Sequence, residues 1–296
     1  MYGNDGMFNN LRKKYLAPWL LLQAFRFGLC IGFFSLVLTG AACAAPGSDD
    51  ASESDSRLVS FPGPAGSTLQ GYLYIPNGAG PFPAILWNHG SERHPGSQPV
   101  LAGFYLSHGF IFFVPHRRGQ GRSAGRYIMD EIRESRGADV VAAQERASLD
   151  VAAALSWLRD RPEVDPKKVV ISGCSFGGIQ TILAAGRFSD VRAFVAFAPG
   201  AMSWSDRRIQ ELLERALRKS TAPVLILQAH NDYNLGPSIV LGKVAAASGG
   251  RSTVYPDFGT SAQDGHWRFA TTQPGIDIWG SDVLAFIAAA VDDDHR

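Results

Sequence analysis

Four short, unbroken apolar runs do most to restrict what this chain can fold into: AILW at 84–87, FIFFV at 110–114, VVI at 169–171 and VLIL at 224–227. A strand with one face in water alternates apolar and polar side chains, so an unbroken run marks a strand covered on both faces. Strands of that kind sit in parallel sheets between helical layers. Together with weaker runs they predict strands at 68–75, 84–88, 110–114, 169–172, 193–198, 224–228 and 252–255. Helical periods fall between them, at 99–108, 138–159, 176–185, 204–218, 237–247 and 279–291. In the second of these, Val140, Leu149, Val151, Leu155 and Leu158 share one broad stripe, and Pro162 follows its end. Strands alternating with helices imply βαβ units, a mostly parallel sheet and an α/β fold. No repeat and no linker rich in Pro, Ser or Gly breaks the stretch, so residues 57–296 are expected to form one domain.

The most informative turn lies in KKVVISGCSFGGIQTILAAG, residues 167–186. An apolar strand runs into a tight glycine-flanked turn and out into a helix, and the turn holds two potential nucleophiles, Cys174 and Ser175. Gly173, Ser175 and Gly177 satisfy G-x-S-x-G. A strand-to-helix turn this sharp strains its central residue and projects that side chain above the sheet. The centre is Ser175. Cys174, one step earlier, is expected to point away as a small buried hydrophobe.

A serine nucleophile needs a base, and the base needs an orienting carboxylate. In strand–turn–helix sites of this kind the acid and then the histidine follow the serine along the chain. After VLILQ comes AHNDYN, which places Asp232 in a loop at a strand's C-terminal end; after STVYP comes DFGTSAQDGHW, which places His266 in a later loop. Asp257 and Asp264 are rival acids, although they share the histidine's own loop, and His230 and His295 are rival bases. The helix N-terminus offers the Phe176 N–H to a developing oxyanion, and the loop NHGS offers that of Ser91.

Three further residues are candidates for substrate contact. His89 ends the first long parallel strand, where it is either a hydrogen-bonding support or a substrate ligand. Arg118 belongs to VPHRRGQGRSAGRY, a glycine-rich corner whose arginines either form ion pairs or bind a substrate carboxylate. Trp204 either roofs the acyl pocket or packs on the core. His89, His94 and His116 lack metal-ligand spacing, so no metal and no organic cofactor is expected.

The N-terminus has a different character. Arg12, Lys13 and Lys14 precede a mostly apolar stretch broken at Arg26, followed by GAACAAPG. This is the pattern of a secretory signal peptide over residues 1–45, with an uncleaved membrane anchor as the alternative. A polar, acidic linker follows at 46–56. Cys30 and Cys43 lie in the leading segment, so only Cys174 is sure to remain after cleavage. At 46% hydrophobic, 19% charged and net +1, the chain has a globular composition and lacks a nucleic-acid footprint. Any membrane contact is expected through the N-terminal segment alone, in an exported protein.

Taken in order, NHGS, RRGQGRS, DVAAALSWLRDRPEVDPKKVVISGCSFGG, QAHNDYNLGPS and DGHWRF resemble the α/β-hydrolase superfamily. The resemblance is narrower to its dienelactone hydrolase-like and prolyl-oligopeptidase-like serine esterases, and covers about residues 60–292. It implies an α/β-hydrolase fold with a mostly parallel eight-stranded sheet, helices on both faces, and Ser175, Asp232 and His266 as a catalytic triad. Dienelactone hydrolases proper carry Cys where this chain has Ser175, which moves the expected substrate to small-molecule carboxylic esters. The alternatives are a peptidase or amidase of the prolyl-oligopeptidase-like group and a non-catalytic binding protein of the same fold.

Overall fold

The computed structural model describes residues 56–292 apart from Arg136 and Ala138. The expected export segment, the linker except Ser56, Cys30, Cys43 and His295 lie outside the described residues.

Consecutive apolar side chains of the central strands go to opposite sides of the sheet. Val169 and Ile171 join one buried cluster while Val170 and Cys174 join the other; Ala84 and Leu86 divide from Ile85 and Trp87 in the same way. This is why these runs lack alternation: both faces are core. The strands are β1 (Arg57–Pro62), β2 (Thr68–Tyr74), β3 (Phe82–Asn88), β4 (Ile111–His116), β5 (Val164–Cys174), β6 (Ala193–Phe197), β7 (Val224–Ala229) and β8 (Arg251–Tyr255). The helices are α1 (Pro99–Ser107), α2 (Ile128–Glu134), α3 (Val140–Arg159), α4 (Phe176–Ala185), α5 (Arg207–Leu217), α6 (Gly242–Ala245), α7 (Phe269–Thr271) and α8 (Gln273–Val291).

The eight strands form one sheet in the order β1-β2-β4-β3-β5-β6-β7-β8. β1 and β2 pair antiparallel, as do β2 and β4, and the remaining neighbours are parallel. One face carries α3, α4 and α5 through Leu155, Leu158, Ile179, Ile182 and Leu213. The other carries α1 and α8 through Leu101, Tyr105, Trp279, Val283 and Ile287. Burying one such large side chain contributes about 1.5–3 kcal/mol. α8 has the length and composition of a membrane span, but half of it is buried against the sheet.

Several boundaries depart from the expected ones. β1 was not foreseen, because of its six residues only Phe61 is buried, as befits an edge strand. α2 was missed too; its single buried residue, Ile128, leaves no stripe to read. The helix expected from 204 begins at Arg207, where the Asp206 carboxylate accepts the Arg208 N–H and caps it. α8 starts at Gln273, with Pro274 in its first turn, rather than at 279.

The order places β3 beside β5, with β4 on its far side. After β3 the chain adds β4 on one side and then β5 on the other, so the strand order reverses between β3 and β5, and the loops after these parallel strands open next to each other at their C-terminal ends. Asn88 and Gly173 pair across that point. In open α/β sheets such a switch point is where ligands bind.

Candidate active site

At the end of β5 the chain turns through Ser175, with φ 59° and ψ −116°, directly into α4. Few non-glycine residues adopt this conformation, and holding it costs about 1–3 kcal/mol. The surroundings enforce it. The Ser175 N–H donates to the Phe197 carbonyl (3.0 Å), and its carbonyl accepts the Ile179 N–H (3.0 Å). The backbone carbonyl of Asn88 fits between the flanking glycines: a Cβ would stand 2.6 Å from it at Gly173 and 1.8 Å from it at Gly177. Both glycines of the motif are thus demanded by the close approach of β3, and Ser175 is left half-buried above the sheet.

Asp232 lies in the loop after β7, with its carboxylate fully buried. Oδ1 accepts the His266 Nδ1–H (2.8 Å) and the Tyr233 N–H (2.6 Å), and Oδ2 accepts from Gln228 Nε2 (2.8 Å). Since a carboxylate only accepts, Nδ1 of His266 carries the proton, and Nε2 is the acceptor in the neutral ring. Nε2 is buried and has no hydrogen-bond partner among the described residues. The Tyr233 ring packs edge-on against the imidazole at 5.3 Å. His266 was expected in a loop; it sits instead in a π-helical turn, Asp264–Arg268, that runs on into α7.

The rivals have other partners. His230 and Asp257 pair with each other on the surface (2.8 Å). Asp264 accepts from the Thr260 N–H and the Ser261 hydroxyl, which hold its carboxyl down at about 2. Cys174 is fully buried on the α1/α8 side, and its thiol donates to the His266 carbonyl (3.6 Å). Burial above all, and then the charges of Asp232 and Glu92, push that thiol well above its ordinary value. It is a protonated support beneath the histidine turn, which also places that turn directly beside the elbow.

At each of the three residues left between support and substrate contact, the structure shows the supporting arrangement. His89 is fully buried, so it does not face a substrate; burial and the Arg117 charge hold its imidazole neutral against Arg117 Nη2 (2.9 Å). Arg118 grips Asp150 through Nη2 (2.5 Å) and Nε (3.0 Å), so its guanidinium is taken by an ion pair. The cavity beside it, about 110 Å³, is also lined by Arg126 and Arg146, which are paired with Glu134 and Glu131. Trp204 packs in the core with Ile209 and Leu213, against Gly236, rather than roofing a pocket.

Sequence reasoning missed Gln228, Gln120 and the role of Arg117. Gln228 is fully buried at the end of β7, where Nε2 also donates to the Asn234 carbonyl (2.9 Å) and Oε1 accepts the Ser238 N–H (3.0 Å). The only signal was a polar residue ending an apolar strand. The Ser91 carbonyl accepts from the Tyr127 hydroxyl, and the Ser91 N–H has no partner among the described residues.

Residues 65–209 match a family model described as X-Pro dipeptidyl-peptidase (S15 family). A polyketide transferase, grgF, of Penicillium sp is 30% identical over 154 residues, which is 51% of this chain and 48% of that protein. A thiohydrolase, apmlB, of Arthrinium phaeospermum is 28% identical over 51% of this chain and 45% of its own length. The chain thus spans about half the length of the curated relatives it matches. Among solved structures, a puromycin-hydrolyzing peptidase of Mycobacterium tuberculosis superposes with a TM-score of 0.62 at 19% identity, covering 80% of this chain and 39% of that one. The GrgF α/β hydrolase of Penicillium sp. superposes at 0.58 with 15% identity, over 80% and 99% of the two chains.

Proposed function

We propose that this chain, a member of the α/β-hydrolase superfamily, is a serine hydrolase that cleaves carboxylic esters through an acyl-enzyme. The observation that carries this reading is the strained, half-buried Ser175, whose neighbour Cys174 touches the turn of the buried Asp232–His266 pair, where Nε2 has no hydrogen-bond partner among the described residues. In the reaction, Ser175 Oγ attacks the ester carbonyl carbon as its proton passes to His266 Nε2. The carbonyl electrons move onto oxygen, and the N–H groups of Phe176 and Ser91 donate hydrogen bonds to the resulting oxyanion. Collapse expels the alkoxide, which takes the proton back from His266. Water then attacks the acyl-enzyme with His266 as base, releasing the acid and Ser175. Throughout, Asp232 keeps Nε2 facing the serine and stabilises the imidazolium.

Cleavage of amide or peptide bonds is the second reading, favoured by the match to the X-Pro dipeptidyl-peptidase model over residues 65–209. One panel tests both. Purified protein is expected to turn over 4-nitrophenyl esters of graded acyl length faster than aminoacyl 4-nitroanilides. Ser175→Ala is expected to lose at least about 10³-fold in kcat, and Cys174→Ala to keep it. Turnover surviving Ser175→Ala but lost in Cys174→Ala would overturn the nucleophile. Faster anilide cleavage would move the assignment to a peptidase, and no turnover by folded protein would leave a binding role.

A further inference from the structure

We infer that Arg117 is a positioning residue that sets both N–H donors of the oxyanion site, Ser91 and Phe176. The inference rests on the hydrolase reading above for its kinetics, but its geometry stands separately.

The Arg117 side chain is almost fully buried under the loop that follows β3. Its Nη2 donates to two successive carbonyls of that loop, those of His89 (2.8 Å) and Gly90 (2.6 Å). Its Nε donates to Gln120 Oε1 (3.2 Å), and Gln120 Nε2 in turn donates to the Gly90 carbonyl (3.3 Å) and the Glu92 carbonyl (2.8 Å). The Gly90 carbonyl is therefore drawn into the protein by Arg117 and Gln120, with His89 Nδ1 also 3.0 Å from it. In a planar trans peptide, C=O and N–H point in opposite directions. The N–H on the far side of this peptide belongs to Ser91, and it has no partner among the described residues. Drawing the carbonyl inward turns that N–H outward.

The same guanidinium lies over the Phe176 ring, with Cζ 5.0 Å from the ring centroid. Phe176 opens α4, and its backbone N–H is one of the helix's unpaired first donors. One fixed planar group thus touches both halves of the donor pair, which come from loops after different strands. Lysine would keep the charge but would supply neither the fork nor the flat face. The first arginine of the RRGQG corner belongs to the site by support, and the second belongs to the Asp150 ion pair.

Arg117→Lys is the test. Because oxyanion donors act on the transition state, kcat is expected to fall by about 10²-fold while KM changes little. Affinity for phenylboronic acid, which forms a tetrahedral adduct with a serine, should fall in parallel. A merely structural role would lower the thermal midpoint and the fraction of sites titrated by a fluorophosphonate, yet leave kcat per titrated site and boronate affinity alone. Should Arg117→Lys not fold, Gln120→Leu removes a second inward donor and is expected to lose kcat and boronate affinity several-fold. Wild-type values of both in either folded variant would overturn the inference. If the wild type itself cleaves neither ester nor anilide, the hydrolase reading fails on its own. A crystal structure of the variant then decides: a rotated Gly90–Ser91 peptide supports the inference, and an unmoved one overturns it.

Discussion

Among the single residues of this molecule, Gln228 shows how a buried polar group supports chemistry it does not touch. Asp232 has no solvent to stabilise it and relies on three donors: the His266 Nδ1–H, the Tyr233 N–H and Gln228 Nε2. Two of them approach Oδ1, and among the described residues Gln228 alone approaches Oδ2, which sets the rotation of the carboxylate. Gln228→Met is expected to lower kcat about tenfold with KM little changed, since small errors of orientation cost rate rather than binding. Steady-state kinetics check this; an unchanged kcat in folded protein would remove Gln228 from the machinery. The elbow glycines, by contrast, were legible in sequence, because G-x-S-x-G encodes a local steric need that the Asn88 carbonyl makes visible.

Between elements, the Arg118–Asp150 pair ties the loop after β4 to α3. Asp150 is almost wholly buried, and it accepts from the Arg118 backbone N–H (2.9 Å) as well as from the guanidinium. Arg118→Ala would leave that carboxylate with the backbone N–H as its one donor among the described residues. We expect a loss of about 1–3 kcal/mol, below the full cost of breaking a buried pair because the Arg118 side chain is partly exposed. Urea unfolding measures the loss, and kcat/KM per folded molecule should stay unchanged. A weakened KM with intact stability would instead return Arg118 to the substrate. The sequence left this corner open between ion pair and substrate ligand, since the choice depends on α3 bringing Asp150 across 32 positions. Elements without a periodic apolar stripe, such as α2 and β1, were invisible for a related reason: each buries one large side chain, and one contact has no period.

Across the whole molecule, two buried histidines give stability a pH dependence of definite sign. Burial holds His89 well below and His116 below their ordinary value of 6.5. The unfolded chain therefore takes up protons near that value while the folded chain resists, so stability falls as pH drops below it. Each histidine contributes at most about 1.4 kcal/mol per pH unit within its window. Glu92, whose carboxyl burial raises from 4.5, acts in the opposite sense at lower pH and returns part of the loss. Urea unfolding at pH 7.5, 6.5 and 5.5 should show the decline, and His116→Gln should flatten it. A slope unchanged by that substitution would mean that His116 is not among the groups responsible.

What the sequence determined by itself was everything that local sterics and burial write into neighbouring residues. The doubly covered strands, the glycine-flanked elbow and the order of Ser175, Asp232 and His266 belong to this class. So do most of the strands and the extent of α4, found where its pattern placed it at 176–185. Tertiary structure alone decided which polar groups meet. Arg117 against Gly90 and Phe176, Gln228 against Asp232, His89 buried against Arg117 and Trp204 in the core are all outcomes of tertiary packing. A hydrogen bond depends on tenths of an ångström between groups far apart in the chain, and no pattern of neighbouring residues carries that distance.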